Sequence, residues 1–173
     1  MSAAAYLAEI IRFFTAFLLA CAAIGKLRTL AGFTNNLVES FGLNRQAATL
    51  LAPAVVALEA LLAGLILAGG GVGRIGMAAA LALFVALTAV VGYRYVVEGS
   101  VKCSCFGESE RPVSGYDLLR NGLVIAAIGA CLALPSGAAF GKKEMVLAAA
   151  LALVATIGAV GFHDLARALK RSA

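Results

Sequence analysis

Two cysteines separated by one serine, Cys103-Ser104-Cys105, followed by Phe106-Gly107, form the most reactive short motif of the chain. Thiols that close together can form a small, strained disulfide, and strain makes such a bond easier to reduce. The same pair could present two soft thiolates to Cu(I), Zn(II) or another thiophilic ion. Lys102 and Arg111 favour thiolate over thiol, and Glu108 and Glu110 oppose them. The alternatives are therefore redox use, metal binding or two inert loop cysteines. Redox use is preferred, because paired thiols in a polar loop are a liability without a purpose.

Other residues could support that chemistry. Glu59 stands in the middle of an apolar segment, where an acid costs several kcal/mol unless it is neutralised or paired. Arg12 and Lys26 are its candidate partners, Lys26 by turning its long stem inward. Glu59 then reads equally well as a clamp between helices or as a proton-handling group. Arg120 and Asn121 open the apolar segment after the cysteine loop. Arg120 could stabilise a thiolate or a quinone oxygen, although an interfacial anchor is the favoured reading. Cys21 lies about one turn inside the end of the first apolar segment, within reach of the Cys103/Cys105 pair as a third thiol or metal ligand. A small packing residue in a helix interface is the reading preferred for Cys21 and, more strongly, for Cys131. Glu9 and Arg12, three residues apart, suggest a solvated entry turn more than a buried pair. His163 beside Asp164 reads as a helix-end residue rather than a haem or metal ligand.

The elements that must position these groups follow from composition. Of 173 residues, 62% are hydrophobic and 13% charged, against about a quarter charged in a soluble domain. So few charges cannot cover a water-exposed surface, and lipid must replace the missing polar contacts. Crossing a hydrocarbon layer about 30 Å thick takes roughly 20 helical residues. Five stretches qualify: Tyr6 to Ile24, Ala47 to Ala68, Ile75 to Val97, Leu118 to Leu134 and Met145 to Phe162. The expectation is an all-α polytopic membrane protein forming a single transmembrane domain, with a four-helix core and a fifth C-terminal span. Gly69-Gly70-Gly71 reads as a tight turn. Between Lys26 and Gln46, Phe33, Leu37 and Phe41 recur every fourth residue, with Asn35, Asn36 and Glu39 opposite. That pattern suits a helix lying on the membrane surface. A cleavable signal is not expected, since Met1 to Leu7 carries no positive charge and Glu9 and Arg12 interrupt the apolar stretch.

Net charge is +5, but the basic residues form no stripe interleaved with aromatics, so nucleic acid is not an expected partner. They sit between the apolar segments. Lys26, Arg28, Arg45, Arg94, Lys102, Arg111, Arg120, Arg167, Lys170 and Arg171 fall on one side, and Arg74, Lys142 and Lys143 on the other. The positive-inside rule then predicts an N-out, C-in protein of a bacterial inner membrane, with the cysteine loop facing the cytoplasm.

Several of these residues together resemble the MauE branch of the MauE/DoxX family of redox-associated membrane proteins, over about Phe13 to Leu134. The resemblance rests on Ala23-Ile24-Gly25-Lys26-Leu27, on Gly32-Phe33 with Phe41-Gly42-Leu43, and on Pro53, Glu59 and Gly64. It is completed by Cys103-Ser104-Cys105-Phe106-Gly107 followed by Arg120-Asn121. It implies a four-helix core that works with thioredoxin-like proteins in handling protein disulfides, as in maturation of the methylamine dehydrogenase small subunit. Carried over by position, Cys103 and Cys105 would be the catalytic redox pair of a thiol–disulfide oxidoreductase, with Lys26, Glu59 and Arg120 as supporting polar groups and a quinone as a further electron carrier. The last segment lies outside that core. Two alternatives use the same features: a carrier or sensor of a thiophilic metal through Cys103, Cys105 and Cys21, and a non-catalytic accessory subunit of a larger membrane complex. The charge count is tested by treating intact cells with a membrane-impermeant thiol reagent. Cys103 should react only after permeabilisation, and labelling of intact cells would reverse the orientation.

Overall fold

The computed structural model describes residues 3–98, 115–134 and 141–171, without the side chains of 98 and 162–171. Six helices follow one another along the chain: α1 (Ala3–Arg28), α2 (Leu30–Phe41), α3 (Arg45–Ala68), α4 (Gly70–Glu98), α5 (Gly115–Ala133) and α6 (Lys142–Arg171). All but α2 are long and apolar enough to cross a membrane. The all-α, five-span architecture expected from hydropathy is therefore present.

Local signals explain where these helices begin and end. Asn44 caps α3, its side-chain oxygen accepting the Ala47 N–H at 2.7 Å, which satisfies one of the amides a helix start leaves open. At the end of α2, Gly42 adopts φ +66°, and the Gly42 and Leu43 amides donate back to Val38 and Leu37. This left-handed C-cap suits glycine. Between α3 and α4 the reversal uses only Gly69 and Gly70, at φ +73° and +60°. Gly71 is consequently already helical, and α4 starts five residues before the apolar stretch that announced it.

The core is a four-helix bundle. Leu18 and Leu19 of α1, Leu62 and Ile66 of α3, Met77 and Phe84 of α4, and Val124 and Ile128 of α5 form one buried cluster. α1 is its hub, packing on α3, α5 and α6, while α4 closes the bundle between α3 and α5. On α6 the buried positions Ala148, Ala152 and Thr156 recur every fourth residue. Small residues at that spacing let helices approach closely in lipid. Thr156 satisfies its hydroxyl by donating to the Ala152 carbonyl at 2.8 Å. Outward positions are apolar as well, Leu50 being 75% and Ile75 69% exposed. In a membrane they are covered by acyl chains.

The second helix departs from expectation. Phe33 and Leu37 do not face lipid but pack on Ala48 and Ala52 of α3. Asn36, expected on the polar side, is buried and accepts a hydrogen bond from Ser40 Oγ at 2.6 Å. Its position, three residues after Phe33 and one before Leu37, puts it on the margin of the apolar stripe. Docking on α3 covers that margin.

Gly76 lies at the tightest approach of α4 to α3. A β-carbon there would stand 3.1 Å from Leu65 Cβ and Ile66 Cγ1, whereas one at Gly64 meets nothing within 4 Å. Gly76→Val should therefore lower stability by about 1–3 kcal/mol through overpacking. Gly64→Ala should be neutral or slightly stabilising, because it raises helix propensity at no steric cost. Thermal unfolding of the two variants in detergent compares them directly.

Candidate functional site

The charged groups inside the bundle were placed by helix register. Arg12 of α1 lies level with Ile66 of α3, and Lys26 with Glu59, so the two helices run antiparallel. Small residues, Ala22 and Ala23 on α1 and Ala63 on α3, are buried near this contact. Lys26 Nζ donates to both oxygens of the Glu59 carboxylate, at 2.7 and 2.9 Å. Their side chains are 4% and 3% exposed, so the pair is removed from solvent and from lipid alike. Phe33 of α2 completes the enclosure, its ring centroid 5.7 Å from the Lys26 nitrogen. A cation over an aromatic face gains from the ring quadrupole, more so when desolvated.

Burial makes this pairing close to obligatory. Each ion alone in low-dielectric surroundings carries a desolvation cost of several kcal/mol, offset only by a well-formed partner. A bidentate ammonium–carboxylate contact is such a partner. Of the two candidates for Glu59, Lys26 is the one used.

Arg12 is engaged elsewhere. It pairs with Glu9 on its own helix and donates to the Ile66 carbonyl at 2.6 Å. Glu9 and Arg12 are 17% and 14% exposed, so they form a half-sunken pair rather than a solvated entry turn. The reason is their position against the last turn of α3, whose carbonyls have no helical partners. Arg74 does the same for α5, donating to Leu132 O at 2.8 Å. Between these ends lies an open cavity of about 610 Å³, lined by Glu9, Arg12, Arg74 and Cys131 among others. Cys131 itself is half-buried, its thiol 3.5 Å from the Ala8 carbonyl.

At the other end of the bundle, Asn121 lines a cavity of about 30 Å³ together with Lys26, Glu59 and apolar side chains of α1 and α4. Arg120 donates to Asn121 Oδ1 at 3.3 Å and faces Asp117 at 4.0 Å. Asp117 occupies the first turn of α5, where an acid complements the helix dipole. A track of polar groups thus leads from the buried pair to the start of α5. The sequence sets Asn121 beside Arg120 without a role of its own and places Phe33 on a surface helix. Both gain their place here through packing between helices, which no local pattern reports.

Cys21 is exposed on α1, rather than sunk in a helix interface. Five residues before Lys26, it points to a different side of the helix. Cys103 and Cys105 lie outside the described residues, as do the side chains of His163 and Asp164.

Fold and site together define a polytopic helical membrane protein built around a buried lysine–glutamate pair. The family model for methylamine utilisation protein MauE matches residues 4–134, and the chain belongs to that family. The match ends where the four-helix core ends, with α6 beyond it. No curated protein and no solved structure matches the chain.

The ion pair generates a prediction about stability. Lys26→Met and Glu59→Leu should each destabilise by about 3–5 kcal/mol, because each leaves one buried charge without its partner. The double variant should lose clearly less than the sum of the two. Denaturant unfolding in micelles measures all three. Additive losses would show that the charges do not depend on one another.

Proposed function

We propose that this MauE-family protein is a membrane thiol–disulfide protein, in which Cys103 and Cys105 exchange electrons with a thioredoxin-like partner. The observation that carries the reading is the Cys-x-Cys-Phe-Gly motif in the connection between α4 and α5, in a chain of this family. Chain geometry supports it. Cys103 follows Glu98, the last residue of α4, by five positions, a tether of at most about 18 Å.

The exchange proceeds through a mixed disulfide. One thiolate of the pair attacks a sulfur of the partner's disulfide, breaking the partner's S–S bond and forming an intermolecular one. The second thiolate attacks the cysteine sulfur of that bond, closing Cys103–Cys105 and releasing the partner as a dithiol. Two electrons pass to the partner, and the protons of the pair end on the partner's thiols. A membrane quinone reduced to quinol by the dithiol is the alternative electron acceptor for the same pair. Maturation of a disulfide-containing protein is the physiological setting that the family description suggests.

Supporting roles follow from chemistry already described. Lys26 and Glu59 hold α1 against α3, and Arg120, set against Asn121 and Asp117 at the start of α5, is a supporting cation. Cys21, exposed on α1, is a third thiol on the same half of that helix.

Differential alkylation in native membranes tests the proposal. Cys103 and Cys105 should gain two alkyl groups only after reduction, and Cys103→Ser should trap a mixed disulfide with a partner on Cys105. A pair alkylated in full without reduction, under oxidising growth, would sink the redox reading. Stoichiometric metal in the purified protein, lost in the double Ser variant, would favour a thiophilic metal carrier instead. A double Ser variant with unaltered cells would favour an accessory subunit.

A further inference from the structure

The Lys26–Glu59 pair does not fill the space around it. Against it lies the cavity of about 30 Å³ whose remaining polar wall is Asn121. Phe84 and Leu87 of α4 make the opposite wall apolar. A cavity accepts a water molecule when it offers about 10–15 Å³ to the probe and two to four polar partners, while apolar cavities stay dry. This one has room for one or two waters. It also has the partners: a carboxylate with about four lone-pair sites, and a carboxamide that both donates and accepts.

We infer that Asn121 is the third member of the Lys26–Glu59 site: it holds water in this cavity and makes the buried pair a hydrated, proton-exchanging centre connected to the end of the bundle where α5 begins. A direct bond from Asn121 to either charge is not required. Water bridges polar groups at little cost when the cavity already orders them. From Asn121 the polar track continues to Arg120 and Asp117 in the first turns of α5. Among the described lining residues, those of α4 are Leu83, Phe84 and Leu87, all apolar. The described polar contacts lead from Asn121 along the first turns of α5. Asn121 acts through the water and is a positioning residue. The inference concerns the ion pair alone and is independent of the cysteine chemistry, so either can fail without the other.

The test is water-edited solid-state NMR of the full-length protein in liposomes, labelled with both carbon-13 and nitrogen-15. The Lys26 ammonium is recognised by its short-range correlation to the Glu59 carboxylate carbon. Magnetisation from water should reach it much faster than it reaches the buried methyl groups of Leu18 and Ile128. Asn121→Leu, which fills the cavity and removes the amide, should slow that transfer by about fivefold or more. Asn121→Ser, which keeps a polar group and leaves room for water, should preserve it. Wild-type transfer as slow as that to the core methyls would overturn the inference whatever the variants do, and so would an unchanged rate in folded Asn121→Leu. Replacing Cys103 and Cys105 with Ser should leave the transfer unaltered, which separates this result from the fate of the thiol–disulfide proposal.

Discussion

A charge cannot remain alone in the middle of a hydrocarbon layer, and the arrangement of the central helices follows from meeting that constraint once. Lys26 and Glu59 are both nearly inaccessible, and each answers the other through two short hydrogen bonds. To bring them together, α1 and α3 must be antiparallel, in one register and with one rotation about their axes. A slip of one residue along either helix would turn a side chain by about 100° and leave two uncompensated ions. The pair therefore specifies how two apolar helices meet, a matter on which their many leucines and alanines are nearly indifferent. Specificity of this kind is one of the uses of buried ionic groups, alongside any part they take in chemistry.

With that contact set, α1 becomes the surface on which the remaining elements assemble. Phe33 approaches Lys26 because α2 folds back on α3, and α2 folds back because Phe33 and Leu37 find Ala48 and Ala52. At the opposite end the same helix pair is secured differently. Arg12 donates to the exposed carbonyl end of α3, next to the glycine turn that sends the chain into α4. The two ends of the α1–α3 contact are thus unlike in kind: one is a sealed ion pair, the other a half-open arginine cap beside a large cavity.

The sixth helix extends the family core without disturbing it. It docks on α1 through Ala148, Ala152 and Thr156, small residues that lose little side-chain entropy on packing. Because the Lys26–Glu59 contact is made within the stretch shared with the family, the site does not depend on the added helix for any of its charged groups. The polar residues that link it to the start of α5 also belong to that stretch.

By itself, the sequence determined the number and approximate position of the membrane-spanning helices, because apolar length against lipid is a local property read one segment at a time. Asn44, Gly42 and the glycine run likewise announce helix ends through their own backbone preferences. It also singled out Glu59 as a costly acid in apolar surroundings, with Lys26 as a candidate partner and Arg120 at the opening of a span. Tertiary structure alone decided which of them meet. Glu59 takes Lys26 and not Arg12, Cys21 turns outward, Asn36 turns inward, and Asn121 comes to face the ion pair across a small cavity. Each of these outcomes depends on the rotation of one helix against another. Rotation is settled by the summed packing of residues far apart in the chain, so no hydropathy profile or short motif contains it.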